Sequence, residues 1–360
     1  MDDLPEAVVT EIVKKITRTS DLNSLSLVSK GLYTIEGSQR GAICVGSGLC
    51  TATEALTSLC ARFTNLQKLE IDYSGWIPGH GNQLDNKGLF VFSSQCSSLI
   101  DLTLSFCSHI DDSGLGCLAH CKKLVSLRLN STPQITLVGL FSVAVGCTSL
   151  SALHLIDCEK IDSVEWLEYL GRDGSLEELV VKNCKGINHQ DFLKFGSGWM
   201  KLQKFEFERK RGIYDFSLGC EYYDRGQAWR SGEVLPTCAK RSWVRTSLSA
   251  LHFAGVRLGS YNPSPDPTLC GSFYALGLSF CEYYDPSYNA HSMYIYDFCC
   301  ESLKNLRLAH IKTWPEIGLR VVLGKCKALE NLWLEYVRAL NDNDMIALSR
   351  SCSNLKSISL

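Results

Sequence analysis

Along most of the chain, apolar and polar positions follow one short form that keeps returning. Leu-x-x-Leu-x-Leu appears at Leu99/Leu102/Leu104, Leu124/Leu127/Leu129, Leu150/Leu153/Leu155, Leu303/Leu306/Leu308 and Leu329/Leu332/Leu334. Variants stand at Leu66/Leu69/Ile71, Leu176/Leu179/Val181 and Leu202/Phe205/Phe207. The last two apolar residues of each form alternate with their neighbours, the period of a short strand with one buried face. A cysteine leads the form at Cys96, Cys121, Cys147, Cys300, Cys326 and Cys352, in steps of 25 or 26 residues within each run. A fixed step in the twenties predicts a solenoid in which every coil supplies a strand and a helix.

Three residues past the last leucine a second cysteine recurs, at Cys107, Cys158 and Cys184, with Thr132 standing in once. Cysteine suits a crowded turn, being small, mostly apolar and weakly hydrogen-bonding. Segments such as "IDDSGLGCLAHC" follow, with Ile110, Leu115, Leu118 and Cys121 at near-helical spacing behind an Asp cap. Between about 209 and 298 the rhythm breaks. Only weak matches remain there, at Leu248/Leu251/Phe253 and Phe273/Leu276/Leu278, and "CEYYD" occurs twice. This stretch reads as an irregular insert, either a functional loop or a segment with no packed core. The chain ends on the strand of a coil with no polar capping unit, which reads as an incomplete solenoid.

The first forty residues carry a different pattern. Leu4, Val8, Ile12 and Ile16 make one stripe of a helix, with Pro5 where a first turn tolerates it. Leu22, Leu25 and Val28 continue at three-residue steps, and Leu32 and Ile35 extend the apolar face. Three short helices with so much leucine are too small to bury it among themselves, so they need a partner or the end of the solenoid.

Composition narrows the chemistry. With 45% hydrophobic and 21% charged residues the chain reads as a soluble globular protein. A net charge of -2 supplies no field to steer it onto nucleic acid or an anionic membrane surface, and no apolar stretch is long enough to span a bilayer. "MDDLPEAVVTEIV" has no basic start and does not read as a secretory signal, so the 18 cysteines are expected as thiols rather than disulfides. Ten of those 18 fall at repeat positions (Cys281 included), and no CxxC pair meets a second CxxC or a His pair, so neither metal nor cofactor is expected. No Gly-rich phosphate loop, G-x-S-x-G or H-E-x-x-H occurs, and no enzymatic activity is expected.

Two resemblances complete the reading. The coils, with both cysteine positions in register, resemble the cysteine-containing leucine-rich repeat over most of residues 66–360. Leu-Pro at residues 4 and 5, Ile12, and "DLNSLSLVSK" resemble an F-box, with Gly31-Leu32 where many members have Arg-Trp or Arg-Phe. The order of the two resembles plant F-box/LRR-repeat proteins. That resemblance implies an α/β solenoid in which a three-helix F-box (1–45) and a connecting helix or cap (46–65) precede a leucine-rich-repeat horseshoe (66–360). It implies a non-catalytic substrate-recognition subunit of an SCF-type E3 ubiquitin ligase, acting in the cytoplasm and/or nucleus. Leu4, Pro5, Ile12, Leu25, Val28, Lys30 and Leu32 would dock a Skp1-like adaptor and, through it, cullin. The concave strand face would bind a protein target for ubiquitination and proteasomal degradation, with Arg128, His154, Lys182, Arg307 and Trp333 as its contacts. Two other readings stay open: a small-molecule co-receptor using the basic cluster at Lys201, Lys204 and Arg209-Lys210-Arg211, and a bare repeat scaffold.

Overall fold

The leucine forms become strands where the pattern places them. The computed structural model describes residues 4–46, 52–75, 82–187 (save 164), 195, 198, 201–208, 303–309, 323–335 (save 325), 337 and 340–360. Between 209 and 302 it describes only the backbone of five short strands. The chain divides into two units, residues 1–175 with 184–186, and 176–183 with 187–360.

In the first unit three helices, α1 (Glu6–Lys14), α2 (Thr19–Ser26) and α3 (Lys30–Gln39), lead into strand β1 (Ala42–Gly46). Then α4 (Ala52–Arg62), β2 (Lys68–Asp72), α5 (Asn86–Gln95), β3 (Asp101–Ser105), α6 (Asp112–Gly116), β4 (Ser126–Asn130), α7 (Leu137–Gly146), β5 (Ala152–Ile156) and α8 (Glu165–Asp173) alternate. All five strands run parallel, each paired in register with the next, so that Ile43, Leu69, Leu102, Leu127 and Leu153 form one row. The second unit holds β6 (Glu178–Lys182), β7 (Lys204–Glu208), β9 (Ala250–Ala254), β13 (Asn305–Ala309), β14 (Asn331–Glu335) and β15 (Ser357–Ser359), again parallel and in register.

Two expectations change. Residues 42–45, assigned from sequence to the F-box, and Gly46, assigned to the connecting segment, form the first strand of the sheet, with Ile43 and Val45 buried and their neighbours exposed. The weak match at Leu248/Leu251/Phe253 does supply a sheet strand, β9, but the match at Phe273/Leu276/Leu278 does not. Gly277–Ser279 (β11) instead pairs antiparallel with Arg257–Gly259 (β10), while Val244–Arg245 (β8) pairs with Phe298–Cys299 (β12). The rest of the 209–298 insert lies outside the described residues.

The apolar strand positions are sunk completely: Leu102, Leu104, Leu127, Leu129 and Leu155 are all at 0% exposure. Each fully buried leucine contributes roughly 1.5–3 kcal/mol of hydrophobic stabilisation. The thiols follow a rule that explains their spacing. Cys158 Sγ donates to the Leu129 carbonyl (3.4 Å) and Cys184 Sγ to the Leu155 carbonyl (3.7 Å), each 29 residues back. Cys147 and Cys352 reach the carbonyls of Leu118 and Leu323, also 29 residues back, at 3.2 and 3.5 Å. A thiol is therefore a weak donor set to meet a main-chain acceptor of the preceding coil while its body packs in the core.

Helix starts are locked in the same coil-to-coil manner. Asp85, Asp111, Thr136 and Asn341 each cap a helix through the side chain. Asp112, just inside one helix, accepts from the Thr136 backbone N–H (2.7 Å) and hydroxyl (2.6 Å) that open the next. Three residues after the cap stands Gly88, Gly114 or Gly139, where a Cβ would strike Leu84 and Thr53, Asn86, or Asp112. The turns closing β3, β4, β5 and β6 put Phe106, Ser131, Asp157 and Asn183 at φ between 49° and 58°, in the left-handed region.

Candidate functional site

Two surfaces carry the side chains singled out from the sequence. The first is the N-terminal helical module. Pro5 caps α1, Glu6 lies in its first turn and Lys14 in its last, in keeping with the helix dipole. Val13 points inward at 3% exposure, while Leu4, Val8 and Ile12 stand out at 44–48%. The chain then turns after α2 and lifts Leu27 to 87% and Val28 to 69% exposure. Pro5 and Lys30 are also exposed and Leu25 is half-buried. Leu32 departs from the expected docking set. At 7% exposure it packs inward, because Ser29 caps α3 (Leu32 N–H to Ser29 Oγ, 3.2 Å) and fixes that turn toward the interior. Leu27 is the residue that sequence spacing missed. It follows Leu25 by two and lies in a turn, where no helical stripe marks it.

A buried ionic knot ties this module to the first coil. Glu36 is at 0% exposure and is paired with Arg40 on its own helix and with Arg62 of α4 at 2.6 Å. Arg40 also donates to Asn23 Oδ1 of α2 (2.8 Å). The Arg62 guanidinium lies 3.8 Å from the centre of the Tyr33 ring and 4.7 Å from that of Phe63. The Glu36 carboxylate, without access to water, thus ties α3 to α4, and Arg40 extends the hold to α2.

The second surface is the strand face opposite the leucines. In the first unit Glu70, Thr103, Arg128 and His154 occupy one row across β2 to β5. Arg128 is exposed, whereas Thr103 and His154 on either side are each at 8% exposure, leaving the guanidinium standing above its neighbours. Asn130 donates to Ser105 in the adjoining row (2.9 Å). At β1, burial first, then the charges of Glu70 and Asp72, push the Cys44 thiol above its ordinary range.

The second unit fills its face with ion pairs. Lys182 meets Glu206 at 2.8 Å, Lys204 meets Glu178 at 2.6 Å and Glu206 at 3.0 Å, and Arg307 meets Glu335 at 3.3 Å. Burial opposes the charge of Lys204, but its hydrogen bonds to Glu178 and Glu206 outweigh it and raise the ammonium above the usual range. That residue of the basic cluster is therefore occupied by carboxylates, and Arg209-Lys210-Arg211 lie outside the described residues. Arg307 and Trp333 are register partners on β13 and β14, and Trp333 is 37% exposed. Of the five expected contacts, Arg128, Arg307 and Trp333 offer accessible surface, Lys182 is half-buried against Glu206, and His154 is sunk.

Three of the buried thiols, Cys107, Cys121 and Cys147, are poor nucleophiles. Burial pushes Cys107 and Cys121 up to about 12 and Cys147 to about 11, with nearby Asp72 adding to the first and Lys122 opposing the last. Among the described residues no three His, Cys, Asp or Glu side chains gather as a metal site would require, and no helix is long and apolar enough to cross a membrane.

The F-box domain family matches residues 1–40, the span of α1, α2 and α3. The chain carries an F-box domain at its N-terminus, the domain by which adaptors of SCF-type ubiquitin ligases are recognised.

Proposed function

We propose that this chain is the target-selecting subunit of an SCF-type ubiquitin ligase. The F-box match over residues 1–40 carries the reading, together with the solvent-facing Leu4, Val8, Ile12, Leu27 and Val28 of that module. A Skp1-like adaptor covers those side chains and links the chain to cullin. The coils behave as leucine-rich repeats, and their open strand face holds a protein target beside the ubiquitin-charged enzyme. Catalysis is then proximity supplied by a scaffold, with no catalytic residue drawn from this chain. Arg307 and Trp333, adjacent and accessible, serve as anchors, since Trp and Arg dominate interface hot spots. The site of action is the cytoplasm or nucleus, and the outcome is proteasomal degradation of the target.

The test is affinity purification of the full chain from cells with the proteasome blocked, read by mass spectrometry. Skp1, cullin and a ubiquitinated protein should co-purify, and the last should be lost in Arg307→Ala/Trp333→Ala while Skp1 stays. Absence of Skp1 from the wild-type sample would overturn the reading.

A further inference from the structure

The cations of the strand face differ in one respect. Lys68, Lys182, Lys204 and Arg307 each have a carboxylate within 3.4 Å. Arg128 has none: among the described residues it is the strand-face cation that no carboxylate neutralises, and it is exposed. Its row neighbours are a hydroxyl, Thr103, and an imidazole, His154. One strand beyond Thr103 comes Glu70, likewise without an ion-pair partner among the described residues. The row thus reads anion, hydroxyl, cation, imidazole.

We propose that Arg128, flanked by Thr103 and His154, receives an anionic side chain of a protein segment in polyproline II conformation whose cationic side chain, three residues away, meets Glu70. This rests on the reading of the strand face as the target-binding surface and adds the chemistry of the target. A guanidinium presents a planar fork that matches the paired oxygens of a carboxylate or phosphoryl group. Glu70 and Arg128 lie two strand spacings apart, roughly 10 Å; residues three apart project from one face of a polyproline II segment at about 9 Å, whereas in a β-strand they would point to opposite faces. A nucleic acid fits poorly, because Glu70, Asp72 and Asp101 face the same side of the sheet and would repel a run of phosphates. Thr103 and His154, being sunk, leave the guanidinium open to an approaching anion.

The full chain, bound to its Skp1-like adaptor, is titrated against fluorescent peptide pools with degenerate flanks. The pools fix Glu-x-x-Arg, phosphoserine-x-x-Arg, Gln-x-x-Arg or Glu-x-x-Glu. The Glu and phosphoserine pools should bind about ten-fold or more tightly than the Gln pool, the tighter of the two naming the natural group. Arg128→Gln should bring both down to the Gln level with an unchanged melting temperature, and Arg128→Lys should keep a reduced preference. Glu70→Lys should turn the preference from Glu-x-x-Arg to Glu-x-x-Glu. Equal binding of all pools, or an anion preference that survives Arg128→Gln, overturns the proposal. If the cellular target is lost in Arg307→Ala/Trp333→Ala but kept in Arg128→Gln, the strand-face reading stands and this site falls. If every variant keeps the target, both fall.

Discussion

The F-box helices and the coils that follow them use the same apolar residues to opposite ends. In the coils from β3 to β5 the strand leucines are at 0 or 1% exposure, and even the linking cysteines are sunk and hydrogen-bonded. In the helical module Leu27 and Val28 stand at 87% and 69%, and Leu4, Val8 and Ile12 near half. Hydrophobic surface that a coil buries against its neighbour is left open here, because forty residues cannot close a core around it. What secures the module is polar instead: the Glu36 carboxylate held by Arg40 and Arg62. Exposed apolar side chains on a domain fixed by an ionic knot are the profile of a surface kept for a partner.

Substitutions separate the two regions, and the largest effect belongs to the knot. Glu36→Ala strands Arg40 and Arg62 beside a dry cavity and should cost about 3–5 kcal/mol of folding free energy, measured by urea titration. Leu129→Ala, in the fully buried row, should cost about 2–5 kcal/mol, whereas Val28→Ala in the module should leave the transition where it is. Gly114→Ala forces a Cβ into Asn86 and should cost about 1–3 kcal/mol, while Gly31→Ala, which meets only Ser29 at 3.9 Å, should not destabilise. Thr136→Ala removes a cap and should cost about 1 kcal/mol.

The buried thiols give the comparison a pH signature. An exposed thiol has a value near 9.0, while Cys107 and Cys121 are raised to about 12. From pH 9 to 12 the unfolded chain has released these protons and the folded chain has not. Their contribution is therefore complete below pH 9 and is lost as pH rises toward 12. Chemical denaturation midpoints should fall across that window, and less steeply in a Cys107→Ala/Cys121→Ala variant. At pH 8 a thiol reagent should label exposed Cys44 well before Cys107, Cys121 or Cys147.

Much of this was legible in the order of residues. Leucine spacing gave the strand positions and their common register, because a one-residue slip would turn every Leu102-type side chain to solvent. The donor role of the cysteines was not legible, since it needs the carbonyl 29 residues back that only stacking brings near. The first strand was hidden because Ile43 and Val45 lack the leading Leu-x-x. Gly277–Ser279 misled because Leu276 and Leu278 imitate the form without a parallel neighbour to pair with. At the candidate site, Leu4, Val8, Ile12 and Val28 were readable as an apolar face. Leu27 and Leu32 were not, because a turn and a cap, rather than helical period, decide which way they point. Which strand-face cations are already neutralised depends on pairs 26 or so residues apart, such as Lys204 with Glu178, and sequence alone does not supply it.

The central claim, that these exposed apolar side chains form an adaptor dock, is tested most directly by calorimetric titration of a Skp1-type adaptor into the full chain and into Leu27→Asp/Val28→Asp. Two carboxylates driven into an apolar interface should weaken binding by at least about a hundred-fold while the melting temperature stays unchanged. Wild-type affinity in the double variant, with the fold intact, would contradict the account.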